Sequence, residues 1–469
     1  MSKHIIIIGG GFTGTALAVH LARLGSAGLQ VTVIEPRPQL AQGVAYSTSD
    51  PAHRINVPAS RMQLAGDEDG AFDRWYRDSP GFKADRNALW SDGNVYPQRG
   101  QFGRWVNEQF LQEKKRSAVK LQHLCDRAVS LRDGVVTTAS GEKYQADEVV
   151  LAISHPPPAL PGSLKTLQGH ERLIADPWQP DALSSVKTHD RVAIVGTGLT
   201  MSDVVASLHG QGHLGSITAF SRRGQLPRTN LSGQYENRTL DYRQPQVASA
   251  RAWLRRIRQE VARAAAEDLP WQLVLDDIRR QGQAIWQTLS LNEQRRFLRH
   301  LRPWWDVHRY RIAPQVSAEL NQLQGSGQLS VTAARLQAAK DDNGSIRLTL
   351  QPRGAAIEDL VVDRVIVTTG PAHGALLNSE ALLRQLADDG VIQADPLALG
   401  IHVNARSQTL TAQGKTNLHL YVAGPAARAR FGELMGLPQV AEHAESVARQ
   451  LLGISSPSHR ERCPFSLTD

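Results

Sequence analysis

Two stretches of this chain read as strand, glycine turn and helix in immediate succession: KHIIIIGGGFTGTALAVHLARL at 3–24 and RVAIVGTGLTMSDVVASL at 191–208. In the first, Ile5–Ile8 predict a buried strand. Gly9, Gly11 and Gly14 then supply G-x-G-x-x-G around Phe12 and Thr13, and Ala16–Leu24 continue as a helix. A side chain at the motif glycines would keep the backbone from approaching a pyrophosphate, and the helix start offers that group free N–H donors and partial positive charge. The next strand, LQVTVIEP, ends in Glu35. An acid about 20 residues past the turn is placed to hydrogen-bond a ribose hydroxyl.

The second turn is looser. Val192–Val195 predict its strand and Gly196-Thr197-Gly198-Leu199-Thr200 its turn, but Met201 stands where the third glycine belongs. The following strand, SITAFSRRG, ends in Ser221-Arg222-Arg223 instead of an acid. Two guanidinium groups there suit a 2′-phosphate and favour NADPH over NADH, although either nicotinamide could serve as donor. Two dinucleotide sites in one chain are most simply explained by two dinucleotides held together, a flavin and the nicotinamide that reduces it. The first turn, with its acid, is assigned to FAD through Gly9, Gly11, Phe12, Thr13, Gly14 and Glu35. The second is assigned to NAD(P)H through Gly196, Gly198, Leu199, Thr200, Arg222 and Arg223. Further FAD contacts are expected from Asn56 in the loop HRINVPAS, from Val129, and from Gly424 in the late strand NLHLYVAGP.

The expected fold is α/β: two Rossmann-like dinucleotide domains, the NAD(P)H domain inserted into a split FAD domain, with a helical segment. AVSLRDGVVTTASGEKYQADEVVLAIS predicts a small antiparallel hairpin returning to the main sheet, and its last strand stops in the proline run HPPP. Boundaries are placed at 1–165, 166–325 and 326–469. Residues 248–302 predict helices. Trp253, Leu254, Ile257 and Val261 recur at helical spacing, Leu269-Pro270 breaks the run, and Ser290 to Glu293 reads as a capping box. The string RHLRPWWDVHRYRIAP at 299–314 reads as a short loop, with His300, Trp304, Asp306, His308, Arg309 and Arg311 as candidate substrate contacts: stacking faces, an acid–base pair and fixed cations. A final helix over Val440–Leu452 closes the fold, and the tail after Ser455 is expected to be loosely held.

Composition narrows the chemistry. Cys125 and Cys463 form no C-x-x-C pair, so dithiol redox chemistry is excluded. The 16 histidines form no H-E-x-x-H motif, so no metal is expected. The net charge of +8 comes from arginines spread along the chain, which suits anionic ligands and a solvated surface better than nucleic acid. The N-terminal apolar run is too short to span a bilayer and precedes no cleavage pattern, so a cytoplasmic protein without a membrane partner is expected. No feature indicates an oligomeric state.

IIIIGGGFTGTALAVHL, GVAYSTSDPAHRINVPA, DPW, VAIVGTGLTMSDVVASL, SRRG and WDVHRYRIAP together resemble the FAD/NAD(P)-binding flavoproteins that include FAD-dependent urate hydroxylase and the aspartate N-oxidising nitrosuccinate synthases. The resemblance spans nearly the whole chain. It implies NAD(P)H-dependent monooxygenation with O2 of a small, anionic substrate. Urate to 5-hydroxyisourate is the first expectation, with N-hydroxylation of an amino acid or amine as the alternative. A non-catalytic, redox-responsive FAD/NAD(P)H-binding module is a third reading. One departure stands out: Gly424 is followed by Pro425, where many flavoproteins of this architecture carry an aspartate.

Overall fold

A computed structural model describes residues 3–455 apart from 67, 154, 234, 236–239, 243 and 245. Cys463 and the tail expected to be loosely held lie outside the described residues.

The first sheet has six strands in the order Gln408–Leu410, Thr416–Val422, Glu148–Leu151, Lys3–Ile8, Leu29–Ile34 and Lys120–Leu124. All pairs are parallel except the edge pair of Gln408–Leu410 with Thr416–Val422. The isoleucine run sits at its centre because both faces of this sheet are covered. Ile5 and Ile7 join the core under helices Phe12–Leu24 and Gln439–Leu451, while Ile6 and Ile8 face the core formed with Leu382, Leu386 and Phe431. Three short antiparallel strands at 128–145 form a separate small sheet, and Glu148–Leu151 returns to the main one. This is the expected hairpin with one further strand.

The second sheet has seven strands, in the order Glu358–Val362, Ile346–Pro352, Leu329–Asp341, Ile217–Ser221, Val192–Val195, Arg364–Val367 and Leu173–Ile174. Its parallel centre holds the second glycine turn. Leu329–Asp341 is long enough to pair with Ile217–Ser221 at one end and to open an antiparallel hairpin at the other. The strands from Leu329 to Val367 therefore belong by hydrogen bonding to the second sheet, although they follow residue 325. The chain thus leaves the first sheet after Leu151 and returns to it after Val367, which makes the second domain an insertion. The outgoing and returning segments touch: Pro158 bridges Pro371, and the Ala372 N–H donates to the Pro157 carbonyl at 3.2 Å.

Between Ile217–Ser221 and Leu329–Asp341 lies the helical segment, with Ala250–Ala266, Trp271–Arg280, Gly282–Thr288 and Leu291–Arg296 in sequence. Leu269-Pro270 separates the first two helices, because proline offers no N–H to continue the first and suits the start of the second. Half of the expected capping box forms. Ser290 Oγ accepts from the Glu293 N–H at 3.4 Å, but Glu293 Oε2 reaches the Ala250 N–H at 2.9 Å instead of closing the box.

The two domains are joined by buried polar contacts. Arg99, at the start of helix Arg99–Arg116, grips Asp203 on helix Leu199–Gly210 with two bonds of 2.8 Å, and both side chains are buried. Arg99 Nε also donates to the Arg54 carbonyl, and His53 Nε2 pairs with Ser207 Oγ at 2.9 Å. Removing one partner of a buried pair leaves a charge without its counter-ion, which costs about 3–5 kcal/mol. Asp203→Ala is accordingly expected to lower unfolding free energy by about 3 kcal/mol in a denaturant titration. A loss below about 1 kcal/mol would show that the pair does not tie the domains.

Candidate functional site

At the first turn, Gly9 adopts φ 104°, and a Cβ there or at Gly14 would collide with backbone, against Ala152 and Gly9 respectively. These two glycines are required by the fold itself. Gly11 differs: a Cβ there would meet only the Gly43 Cα, at 3.6 Å. It caps helix Phe12–Leu24 with no side-chain acceptor, so the first helical N–H groups have no side-chain cap and face open space. Glu35 stands at the end of the second strand, buried, with Oε2 accepting from the Gly10 N–H and Oε1 from the Arg37 N–H and guanidinium. The acid thus braces the turn and keeps further lone pairs for a hydroxyl. Phe12 stacks on Phe102 at 5.5 Å.

A third segment closes on this turn. Gly424 takes φ 83°, and a Cβ there would lie 2.7 Å from Thr13 Oγ1. Its N–H donates to His443 Nδ1 at 3.0 Å, which leaves Nε2–H to donate to Ser407 Oγ at 3.0 Å. Complete burial holds this imidazole neutral and pushes its pKa down to about 4. Gly424-Pro425 therefore needs no aspartate to be fixed in place. Val129 is half-buried in the small antiparallel sheet, away from both turns in sequence and sheet.

The second turn repeats the pattern of the first. Gly196 takes φ 121° against Thr368, whereas a Cβ on Gly198 would meet nothing within 4 Å. Gly198 caps helix Leu199–Gly210, again without a side-chain acceptor, and Thr200 lies in its first turn. Met201 is fully buried, so the looser motif is filled by core packing. Arg222 is exposed and Arg223 half-exposed, directly after strand Ile217–Ser221. Asn56 lies in the domain joint, where its carbonyl accepts from Asn230 Nδ2 and its Oδ1 receives Arg99 Nη2 at 3.4 Å.

Residues 299–311, expected as a loop, are mostly helical: a π-turn at Phe297–Leu301 runs into helix Arg302–Arg309. Pro303 explains the geometry, since it lacks the N–H that a regular turn would use and its ring crowds the preceding carbonyl. Bonds four residues apart then hold the helix, from Arg302 Nε to Asp306 Oδ2 (3.3 Å) and from His308 Nδ1 to the Trp304 carbonyl (2.7 Å). A helix disperses the six candidates over its faces. His300 and Trp304 are exposed, Arg311 is buried against Asp276, and Arg309 binds Glu433 at 2.8 Å. His308 packs edge-on against Trp271. Asp306 lines a cavity.

That cavity, of about 130 Å³, lies between the helical segment and the segment after Gly424. Arg302, Tyr310, Arg428, Glu433 and Asp306 supply its polar end. Glu433 is spent on two contacts, accepting from Trp305 Nε1 and Arg309 Nε, each at 2.8 Å. Arg428 is 4% exposed, yet its Nε and Nη2 find no partner among the described residues, and Nη1 meets only Met435 Sδ. A buried guanidinium without an anion is costly, and its pKa falls to about 10 through burial and the neighbouring Arg302. His155 and His373, one on each domain crossing, meet edge to face at 5.3 Å. Burial and Arg428 push them down to about 4 and about 3. Sequence reasoning missed Arg428 because neither arginine of PAARARF carries a spacing signal that sets it apart.

Residues 6–156 match the family model described as FAD-NAD(P)-binding. No curated protein matches the chain. Solved structures share its fold along almost the whole length. An ornithine N-hydroxylase of Kutzneria sp. 744, with reduced FAD, NADP+ and L-ornithine, aligns at TM-score 0.62 and 16% identity over 97% of this chain and 99% of that one. The L-lysine 6-monooxygenase of Pseudomonas syringae gives 0.62 and 18% over the same shares. The FAD-bound cadaverine monooxygenase of Erwinia amylovora gives 0.64 and 12%, over 97% and 95%. All three are named for an amine or amino acid and none for urate. Among the described residues no helix is long and apolar enough to cross a membrane, and no group of three metal-ligating side chains forms.

The neutral His443 has a consequence for stability. Its folded pKa lies below the unfolded value of about 6.5, so it contributes stability above that pH that is lost as pH falls toward about 4. His443→Gln is expected to flatten the fall in Tm between pH 6.5 and 4, read by thermal melts across that range. An unchanged slope would place the acid sensitivity elsewhere.

Proposed function

We propose that this chain is an FAD-dependent, NADPH-driven monooxygenase that hydroxylates the nitrogen of an amino acid or amine. The observation that carries it is Arg428: a buried cation without a charged partner among the described residues, lining a small cavity four residues beyond Gly424, which itself closes on the first glycine turn. Such a group awaits an anion, and a carboxylate matches its forked donors. The fold match to enzymes named for ornithine, lysine and cadaverine supports nitrogen as the acceptor, in place of the urate first expected.

The residues present fit both dinucleotides. Open, uncapped helix starts at Gly11 and Gly198 can each receive a pyrophosphate, Glu35 keeps lone pairs for a ribose, and Arg222 and Arg223, which follow strand Ile217–Ser221, can meet a 2′-phosphate. Flavin bound at the first turn would supply hydride acceptance from the nicotinamide and activation of O2. The chain's own contribution is to hold and dry the substrate. Arg428 fixes the carboxylate end. Trp305, held by Glu433, and Tyr310, which caps the end of its helix, wall the cavity against water.

Gly11→Ala is expected to melt as the native protein does but to purify colourless, because its Cβ obstructs only the ligand's approach, whereas Gly14→Ala should fail to fold. A yellow Gly11→Ala protein would remove the FAD assignment. Arg222→Ala with Arg223→Ala should raise KM for NADPH at least tenfold more than for NADH. With amines as substrates, NADPH and oxygen consumption should match hydroxylamine formation. Arg428→Ala should lower kcat/KM about 10- to 100-fold, the value of a charge-assisted hydrogen bond. Urate consumed with matched stoichiometry, and amines untouched, would overturn the proposal.

A further inference from the structure

We infer that the cavity takes an α-amino acid with an apolar side chain, its carboxylate on Arg428, its amino group on Asp306 and its side chain against the helical segment. The inference rests on the reading of the chain as a nitrogen hydroxylase and specifies the substrate of that site.

The polar groups of the cavity are few and stand at one end. Of its two carboxylates, Glu433 already accepts from Trp305 and Arg309. Asp306 receives a single long bond from Arg302, at 3.3 Å on Oδ2, and no bond reaches its Oδ1 among the described residues. Arg428 has two unpartnered nitrogens at the same end. One free acid oxygen and one free guanidinium in a shared cavity match the two charged ends of a single amino-acid head group.

The rest of the lining has no matching group: Trp253, Ile257, Ile285, Trp286, Phe297 and Leu298, all from the helical segment, are apolar. The second ammonium of lysine, ornithine or cadaverine would be buried there without a partner, and so would the second carboxylate of aspartate. An aliphatic or aromatic side chain gains from the same surface.

Asp306 also suits the chemistry. An ammonium has no lone pair, so the nitrogen must lose a proton before it can accept oxygen. The N–H bond breaks toward Asp306 Oδ1, an O–H bond forms there, and the nitrogen keeps the electron pair with no change of oxidation state. Burial raises the Asp306 pKa to about 6. Arg302 on its own helix opposes the rise, Glu433 adds to it, and Arg428 opposes it from across the cavity, where Tyr310 also faces the acid. A carboxylate so displaced takes a proton more readily than an exposed aspartate.

The test uses the FAD-loaded protein. Calorimetry would compare L-leucine and L-phenylalanine with L-ornithine, cadaverine, L-aspartate and the amine-free analogue 4-methylpentanoate. Leucine or phenylalanine should bind at least tenfold more tightly than the doubly charged compounds, and its affinity should rise with pH through about 6. Asp306→Asn should weaken amino-acid binding at least tenfold, abolish that pH dependence and leave 4-methylpentanoate within twofold of wild type. Asp306→Glu, which keeps the acid, should recover most of the affinity. Equal weakening of leucine and 4-methylpentanoate in Asp306→Asn would show that Asp306 only holds Arg302, and would overturn the assignment. Tighter binding and turnover of ornithine, cadaverine or aspartate would overturn the inference while leaving nitrogen hydroxylation intact. Hydroxylamine formation from none of these amines would overturn the underlying reading instead.

Discussion

The buried pairing of Arg99 with Asp203 sets the relation of everything else. Each residue belongs to a helix of a different domain, and the bidentate geometry leaves little freedom in how the two meet. Arg99 further holds the Arg54 carbonyl, and the neighbouring His53 reaches Ser207. The loop at 53–60, which follows the first turn, is thus pinned to the helix that follows the second. A buried ion pair is an uncertain source of net stability, but its loss is expensive and its orientation is specific. Here that specificity fixes helix Arg99–Arg116 against helix Leu199–Gly210.

The insertion explains why the cavity forms where it does. The chain leaves the first sheet after Leu151 and returns after Val367, and the two crossings touch at Pro158 and Pro371. The inserted domain brings with it a helical segment that finds its packing partner in the first domain. Trp286 Nε1 donates to the Ala429 carbonyl, Arg279 to the Leu437 carbonyl, and Trp305 and Arg309 to Glu433. Trp286, Trp305 and Glu433 of these contacts line the same cavity as Arg428. The cavity is therefore a product of docking, made from residues more than a hundred positions apart.

Charge in that space is poorly balanced, which ordinary packing would avoid. Most arginines in the joint have found acids: Arg309 with Glu433, Arg311 with Asp276, Arg99 with Asp203. Arg428 has found none among the described residues, and two neutral histidines sit near it with strongly depressed pKa values. Core formation alone would select against a cation kept dry without an anion. Its retention is consistent with a ligand that carries the missing charge.

Local features of the sequence determined the elements. The isoleucine run, the glycine turns, Glu35 at the end of the second strand, the break at Leu269-Pro270 and the closing helix are read from neighbours within a few residues, where sterics and periodicity act directly. The proline at position 303 was such a signal too. It marks the first turn of a helix, but a string dense in charge and tryptophan reads as a loop, so six candidates were grouped that a helix then separated. What only the tertiary structure decided is non-local. The sequence could not show that strands as late as Val367 pair into the second sheet, since sheet membership depends on hydrogen bonds between distant segments. Nor could it single out Arg428, which differs from the chain's other arginines only in what surrounds it. Unpaired burial is a property of the assembled interior, and no spacing along the chain encodes it.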